Sequence, residues 1–231
     1  MHIEAPTEIR TVAWEGELVA PDVMQGGLPA KAPVVTLGRP EIWTAAEALE
    51  TVAGQKWVRP LGGGEYWLLR LACTLREPAG GRLVEAEQRL YLRPRAAQAP
   101  PDSVYAHSLF PLRLGIESST EQAVTLGPEL TLASGAGVKA GEVGVTIPYR
   151  RVFPVIQAYG VGEAAPSWQF KAHAAHPLAG SQFVYAVVAA RPGSGGARAA
   201  VELIAGVQAA GMLQRFKTPD TARESLTFTI P

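Results

Sequence analysis

Residues 65–93, EYWLLRLACTLREPAGGRLVEAEQRLYLR, alternate apolar and polar positions along two long arms. Trp67, Leu69, Leu71, Cys73 and Leu75 share one face of the first arm, and Val84, Ala86, Gln88, Leu90 and Leu92 share one face of the second. The opposite faces carry Arg70, Arg76, Glu85, Glu87, Arg89 and Arg93. A period of two marks antiparallel strands with one dry face and one wet face. Joined through Pro78-Ala79-Gly80-Gly81, the arms read as a single hairpin. Its register sets Cys73 beside Ala86, Leu69 beside Leu90, and Arg70 diagonal to Glu87. The plan returns near the end of the chain, where 182–190 and 198–207 flank the turn Arg191-Pro192-Gly193-Ser194-Gly195-Gly196. Paired about Ser194, that second hairpin sets Tyr185 opposite Leu203 and Val187 opposite Val201.

Shorter runs fill the rest. Strands are expected at 9–19 with a bulge at Gly16, and at 34–37, 57–58, 104–114, 122–132, 142–147, 152–159 and 168–172. Within 199–210 the valines and Gly206 favour strand over the helix that the alanines allow. One helix is expected near 44–53. Thr44 and Glu47 form a Thr-x-x-Glu capping box, good helix formers follow, and Gly54 supplies the stop. The pattern therefore predicts a mostly β fold: one or two antiparallel β-sandwiches, Ig-like in general architecture, with one short helix near 44–53. Arg95 to Ser103, RAAQAPPDS, has linker composition. It divides a β-rich N-terminal part, 1–98, which carries the 65–93 hairpin, from a C-terminal sandwich, 104–231. These are two domains or two halves of one.

Composition narrows the function. The 21 Lys and Arg balance 21 Asp and Glu, so no global basic signature points to nucleic acid. Residues 1–133 hold 12 basic and 16 acidic side chains, and 134–231 hold 9 and 5. Halves of opposite sign suit docking on each other or on a neighbouring copy, although salt screens such fields strongly. A single cysteine excludes an intrachain disulfide and suits a reducing compartment. The segment MHIEAPTEIRTVAWEG lacks the basic and apolar regions of a signal peptide, and no run approaches a membrane span. A cytoplasmic protein without a membrane span is the expectation.

The residues with chemical potential form no coherent catalytic set. His173-Ala-Ala-His176, with His107, is the most metal-like group, but no carboxylate or cysteine nearby completes it. Gly160-Val161-Gly162 and Gly62-Gly63-Gly64 lack the third glycine spacing or the lysine of a phosphate cradle, so they read as turns. Ser194 stands at a hairpin tip, and Cys73 faces inward. Glu85 and Glu87 read as part of a charge ladder. The more suggestive residues are Tyr159 and Trp168 around a glycine-rich turn, and Arg150-Arg151, an adjacent basic pair. These four are the candidate binding residues. No cofactor and no catalytic residue are expected.

The leading expectation is a non-enzymatic protein-binding or scaffold β-sandwich module. Its partner is another protein or a second copy of itself, not nucleic acid. Two rivals remain: a metal-dependent hydrolase using His107, His173 and His176, and a carbohydrate-binding sandwich using Trp168 and Tyr159.

Overall fold

The computed structural model describes residues 8–20, 31–44, 47, 63–116, 153–174 and 176–231. Among these residues the chain forms two antiparallel sheets packed as a sandwich. In chain order the strands are β1 (Val12–Glu17), β2 (Val34–Gly38), β3 (Glu41–Thr44), β4 (Glu65–Arg76), β5 (Arg82–Pro94), β6 (Val104–Phe110) and β7 (Arg113–Ile116). They continue as β8 (Phe153–Tyr159), β9 (Ser167–Lys171), β10 (Gly180–Ala190), β11 (Ala197–Ala209), β12 (Met212–Lys217) and β13 (Thr227–Ile230). The first sheet runs β1-β2-β4-β10-β6, with β3 also on β4; the second runs β12-β11-β5-β9-β8-β7, with β13 also on β11.

The long arms are strands with most inward positions as expected, apart from Val84, whose place Leu83 takes, and Arg70, expected on the wet face but buried, and they are not a hairpin. β4 lies in the first sheet, with β10 on one edge and β2 and β3 in succession on the other. β5 lies in the second sheet, between β11 and β9. The chain therefore folds from one sheet over to the other through 77–81, and the two apolar faces meet across the sandwich instead of lying side by side. Cys73 pairs with Gln182 and Leu37, not Ala86, and Leu69 pairs with Ala186 and Ile42, not Leu90. Arg70 is far from a diagonal with Glu87; it grips Glu41 through Nε at 3.1 Å and through Nη2, and lies under the Trp43 ring. Burial works to lower the Arg70 pKa, but the hydrogen bonds and charge of Glu41 overcome it and raise the value.

The second expected hairpin fails in the same way. β10 is in the first sheet and β11 in the second, so Tyr185 pairs with Arg70 and Leu203 with Gln88. The resemblance between the two segments has a structural cause. Adding 115 to a residue number carries Glu65 and Arg82, which open β4 and β5, to Gly180 and Ala197, which open β10 and β11. The two arches thus pair with each other in both sheets. Under that offset the pairs Arg70–Tyr185 and Gln88–Leu203 map onto themselves, as expected of positions on an approximate two-fold axis running through both sheets. A bulge at Val84 shifts the register between Gly206–Glu85 and Val207–Leu83, so Leu83 is buried where Val84 was expected.

Each sheet contains strands from both 1–98 and 104–231, and together they surround one apolar core. Trp67, Leu69, Leu71, Cys73 and Leu75 from β4 face Leu83, Ala86, Leu90 and Leu92 from β5, with Trp168 and Phe170 between neighbouring strands of the second sheet. Each fully buried leucine contributes about 2 kcal/mol through removal of its surface from water. The segment expected as a linker is pinned instead. Arg95 N–H donates to Gly196 O at 3.2 Å, Ala96 N–H to Ser194 O at 2.8 Å, and Arg191 N–H to Ser103 O at 2.8 Å. It carries the chain back across the sandwich beside the 191–196 turn.

Backbone bonds also stitch the sheets together at their margins. Val19 and Lys217 exchange both backbone hydrogen bonds at 2.8 Å, tying the segment after β1 to β12. On the other side Gly162 N–H donates to Ala106 O at 2.7 Å, and Ala106 N–H donates to Glu163 O at 2.9 Å. The expected bulge at Gly16 falls instead between Val12 and Trp14. Residues 197–209 are strand, as expected. The run 104–114 divides into β6 and β7 at Pro111. Thr44 and Glu47 make the reciprocal capping box, with Glu47 N–H donating to Thr44 Oγ1 at 3.2 Å and Thr44 N–H to Glu47 Oε2 at 2.8 Å. The remainder of that expected helix, and the strands expected at 57–58, 122–132 and 142–147, lie outside the described residues. No helix among the described residues is long and apolar enough to cross a membrane.

Candidate functional site

The expected binding residues do not converge. Trp168 is on β9 opposite Gln88 and Ala158, with its side chain fully buried. Tyr159 is one residue beyond Ala158 on β8 and is 44% exposed. Successive strand residues point to opposite faces, so Trp168 and Tyr159 build no common aromatic platform. Arg150 and Arg151 lie outside the described residues. His107 is on β6, edge-on to Tyr66 at 5.3 Å. His173 and His176 bond each other through their backbones beyond β9 in the second sheet. Among the described residues no group of three or more His, Cys, Asp or Glu is gathered to hold a metal ion.

The remaining candidates are structural. Glycine-turn amides at Gly162 and Glu163 donate to backbone carbonyls, so that loop is a clamp between sheets and not a phosphate cradle. Burial pushes the Cys73 thiol up to about 12, which removes the thiolate a nucleophile needs.

Charge on the molecule is organised along the outer face of the second sheet. There β5 contributes Glu85, Glu87, Arg89, Tyr91 and Arg93, and β11 contributes Arg198, Ala200, Glu202 and Ile204. At one end acids and bases are ion-paired. Glu85 reaches across β11 to Arg215 at 2.9 Å, passing over Gly206, whose missing side chain leaves the space. Arg89 bonds Glu87 at 2.9 Å and approaches Glu202 at 3.7 Å, and Tyr91 Oη–H donates to Glu202 at 2.9 Å. Burial works to raise the Glu87 pKa, but hydrogen bonds from Arg89 and Ser167 hold it below the ordinary carboxylate value. The Tyr91 hydroxyl is pushed up, first by burial.

The other end is cationic. Arg93 and Arg198 are direct partners in the β5–β11 ladder, so both side chains leave the same face side by side. They open into a groove of about 1080 Å³ that Arg95 and Arg223 also line, together with Glu202 and Asp220. A second depression of about 660 Å³ shares Arg198, Asp220, Arg223 and Thr227 with it. Among the described residues none of these four arginines has a carboxylate within 4.0 Å. Thr229 continues the row, as the partner of Arg198 on β13. Four exposed guanidiniums against two carboxylates give the groove a net positive lining.

Sequence reasoning placed Arg93 on a wet face but did not single out this groove. Arg93 and Arg198 meet only through the β5–β11 pairing, and Arg95 fell in the expected linker. An unbalanced charge count along the outer face becomes visible once that pairing is known.

No family model matches the chain, and no curated protein does. Among solved structures it is similar to a pore forming protein at 9% identity, covering 80% of this chain and 86% of that one, with a TM-score of 0.32. A second is the Clostridium perfringens NetB toxin in its membrane-inserted form, at 9% identity, covering 93% and 90% of the two chains, with a TM-score of 0.32. Likenesses this distant bear on neither family nor activity.

Proposed function

We propose that the chain is a non-enzymatic protein-binding module that docks an anionic segment of a partner protein in the arginine-lined groove of its second sheet. The observation that carries this reading is the Arg93–Arg198 pair. Like charges directly opposite on a ladder destabilise it, and here no carboxylate among the described residues lies within 4.0 Å of either guanidinium. A bound anion removes that repulsion. Tyr91, 38% exposed at the same groove, adds the aromatic surface common at interface anchors. A cytoplasmic setting fits the single buried thiol.

The test is binding of a fluorescent acidic peptide, read by anisotropy at low and high salt. The wild-type protein is expected to bind and to release the peptide as salt rises, because exposed charges are screened. The charge-reversed Arg93→Glu and Arg198→Glu variants are expected to lose binding. Equal binding by wild type and both variants overturns the reading, and so does the absence of binding at low salt.

A further inference from the structure

We infer that the anionic group held at Arg93 and Arg198 is a phosphomonoester carried on the partner segment; this rests on the binding-module reading above. Two arginines on directly opposed ladder positions are rooted about 5 Å apart and converge on one ligand group. A phosphoryl group carries roughly −1.5 to −2 at neutral pH, which matches both cations, whereas a carboxylate offsets only one.

Arg93, Arg198 and Thr229 form one row across β5, β11 and β13. Two guanidinium forks and a hydroxyl supply more donors than the two oxygens of a carboxylate use well, and suit the three terminal oxygens of a phosphomonoester. Going from Arg93 toward β5's other end, the face turns to the Tyr91–Glu202–Arg89–Glu87 network, where two glutamates outnumber one arginine. An extended polyacidic segment along β5 runs into Glu202 and Glu87. A single concentrated charge meets the Arg93–Arg198 pair without extending along β5 to Glu87. Arg95 and Arg223 then stand beside the anchored group, ready for a flanking acid or a backbone carbonyl.

The experiment compares three labelled alanine-glycine nonapeptides that differ only at the central residue: phosphothreonine, glutamate or threonine. Inorganic phosphate serves as a competitor. The phosphothreonine peptide is expected to bind about ten-fold tighter than the glutamate peptide, a difference of about 1.4 kcal/mol, and the threonine peptide not at all. Arg93→Gln and Arg198→Gln are each expected to remove that preference, with thermal midpoints at or above wild type showing that both remain folded. Arg215→Gln, whose partner Glu85 is at the ion-paired end, is expected to leave it unchanged. Equal binding of the glutamate and phosphothreonine peptides overturns this inference and leaves the binding-module reading standing. Inorganic phosphate binding as tightly as the phosphopeptide assigns the site to a free anion and overturns it too. Failure of every anionic probe at low salt overturns both.

Discussion

Gln88 and Trp168 are direct partners across the β5–β9 ladder, both fully buried, and neither Gln88 Oε1 nor Trp168 Nε1 has a hydrogen bond among the described residues. Gln88 occupies an inward position between Ala86 and Leu90, where the alternation calls for an apolar side chain. A buried acceptor left unsatisfied costs about 1–3 kcal/mol. Gln88→Met keeps the shape of the side chain and removes that acceptor. Its midpoint in urea is expected to rise, equivalent to about 1 kcal/mol at unchanged slope. A fall of similar size means that Oε1 has a partner, and that Gln88 is a polar anchor for the core.

Gln88 also marks what the sequence makes legible. The inward set Trp67, Leu69, Leu71, Cys73 and Leu75 is readable from alternation alone, and each of these side chains is buried. Alternation does not say whether a second amphipathic arm lies beside the first or over it. Both arrangements bury the same residues, because a hairpin needs another layer to cover its apolar face and an arch supplies that layer itself. The bulge at Val84 was invisible for a related reason: a single extra residue changes the phase without changing the composition. The groove suffered most. Its arginines come from β5, the segment after it, β11 and the turn before β13, so it exists only in the paired structure.

The turns that cross between sheets demand glycine at one equivalent place. Gly81 and Gly196 are related by the 115-residue offset between the arches. A Cβ on Gly81 meets Val207 Cγ1 at 2.6 Å, and one on Gly196 meets Ile230 O at 2.9 Å with the backbone at φ +85. Gly80, at φ +78, has nothing within 4 Å of a Cβ. Gly80→Ala is therefore expected to cost about 1 kcal/mol through backbone strain alone. Gly196→Ala combines strain with a clash against backbone and is expected to cost about 2–4 kcal/mol. Equal losses in chemical denaturation for the two variants contradict this account of the crossing turns.

A true hairpin joins β11 to β12. Ala209 pairs with Met212, and the two turn residues between them, Ala210 and Gly211, have φ of +49 and +82. Positive φ at both central positions is the type I′ geometry that matches strand twist and favours Asn-Gly. Alanine has no side-chain bond to offset its left-handed strain. Ala210→Asn is expected to raise stability by about 0.5–1 kcal/mol, or roughly 2 °C in thermal midpoint. An unchanged or lower midpoint shows that this turn carries no strain for asparagine to relieve.

Cys73 gives the fold an alkaline limit. Its thiol is fully buried on β4, and burial pushes its pKa up to about 12. An unfolded cysteine titrates near about 8.5, so the folded state retains a proton that the unfolded chain gives up. The resulting stabilisation is complete below about pH 8.5 and is lost as pH rises toward the folded value, by at most about 1.4 kcal/mol per pH unit. The offset of 115 places Val188, also fully buried, at the equivalent position on β10. Cys73→Val therefore installs a side chain that the other arch already accommodates. Between pH 9 and 11 the variant is expected to lose stability less steeply than wild type, because the shared tyrosine and lysine titrations cancel in the comparison. The wild-type thiol is also expected to react with a disulfide reagent at pH 8 only as fast as the protein opens. Parallel stability curves for the two proteins, or rapid labelling of the folded one, contradict a buried protonated thiol.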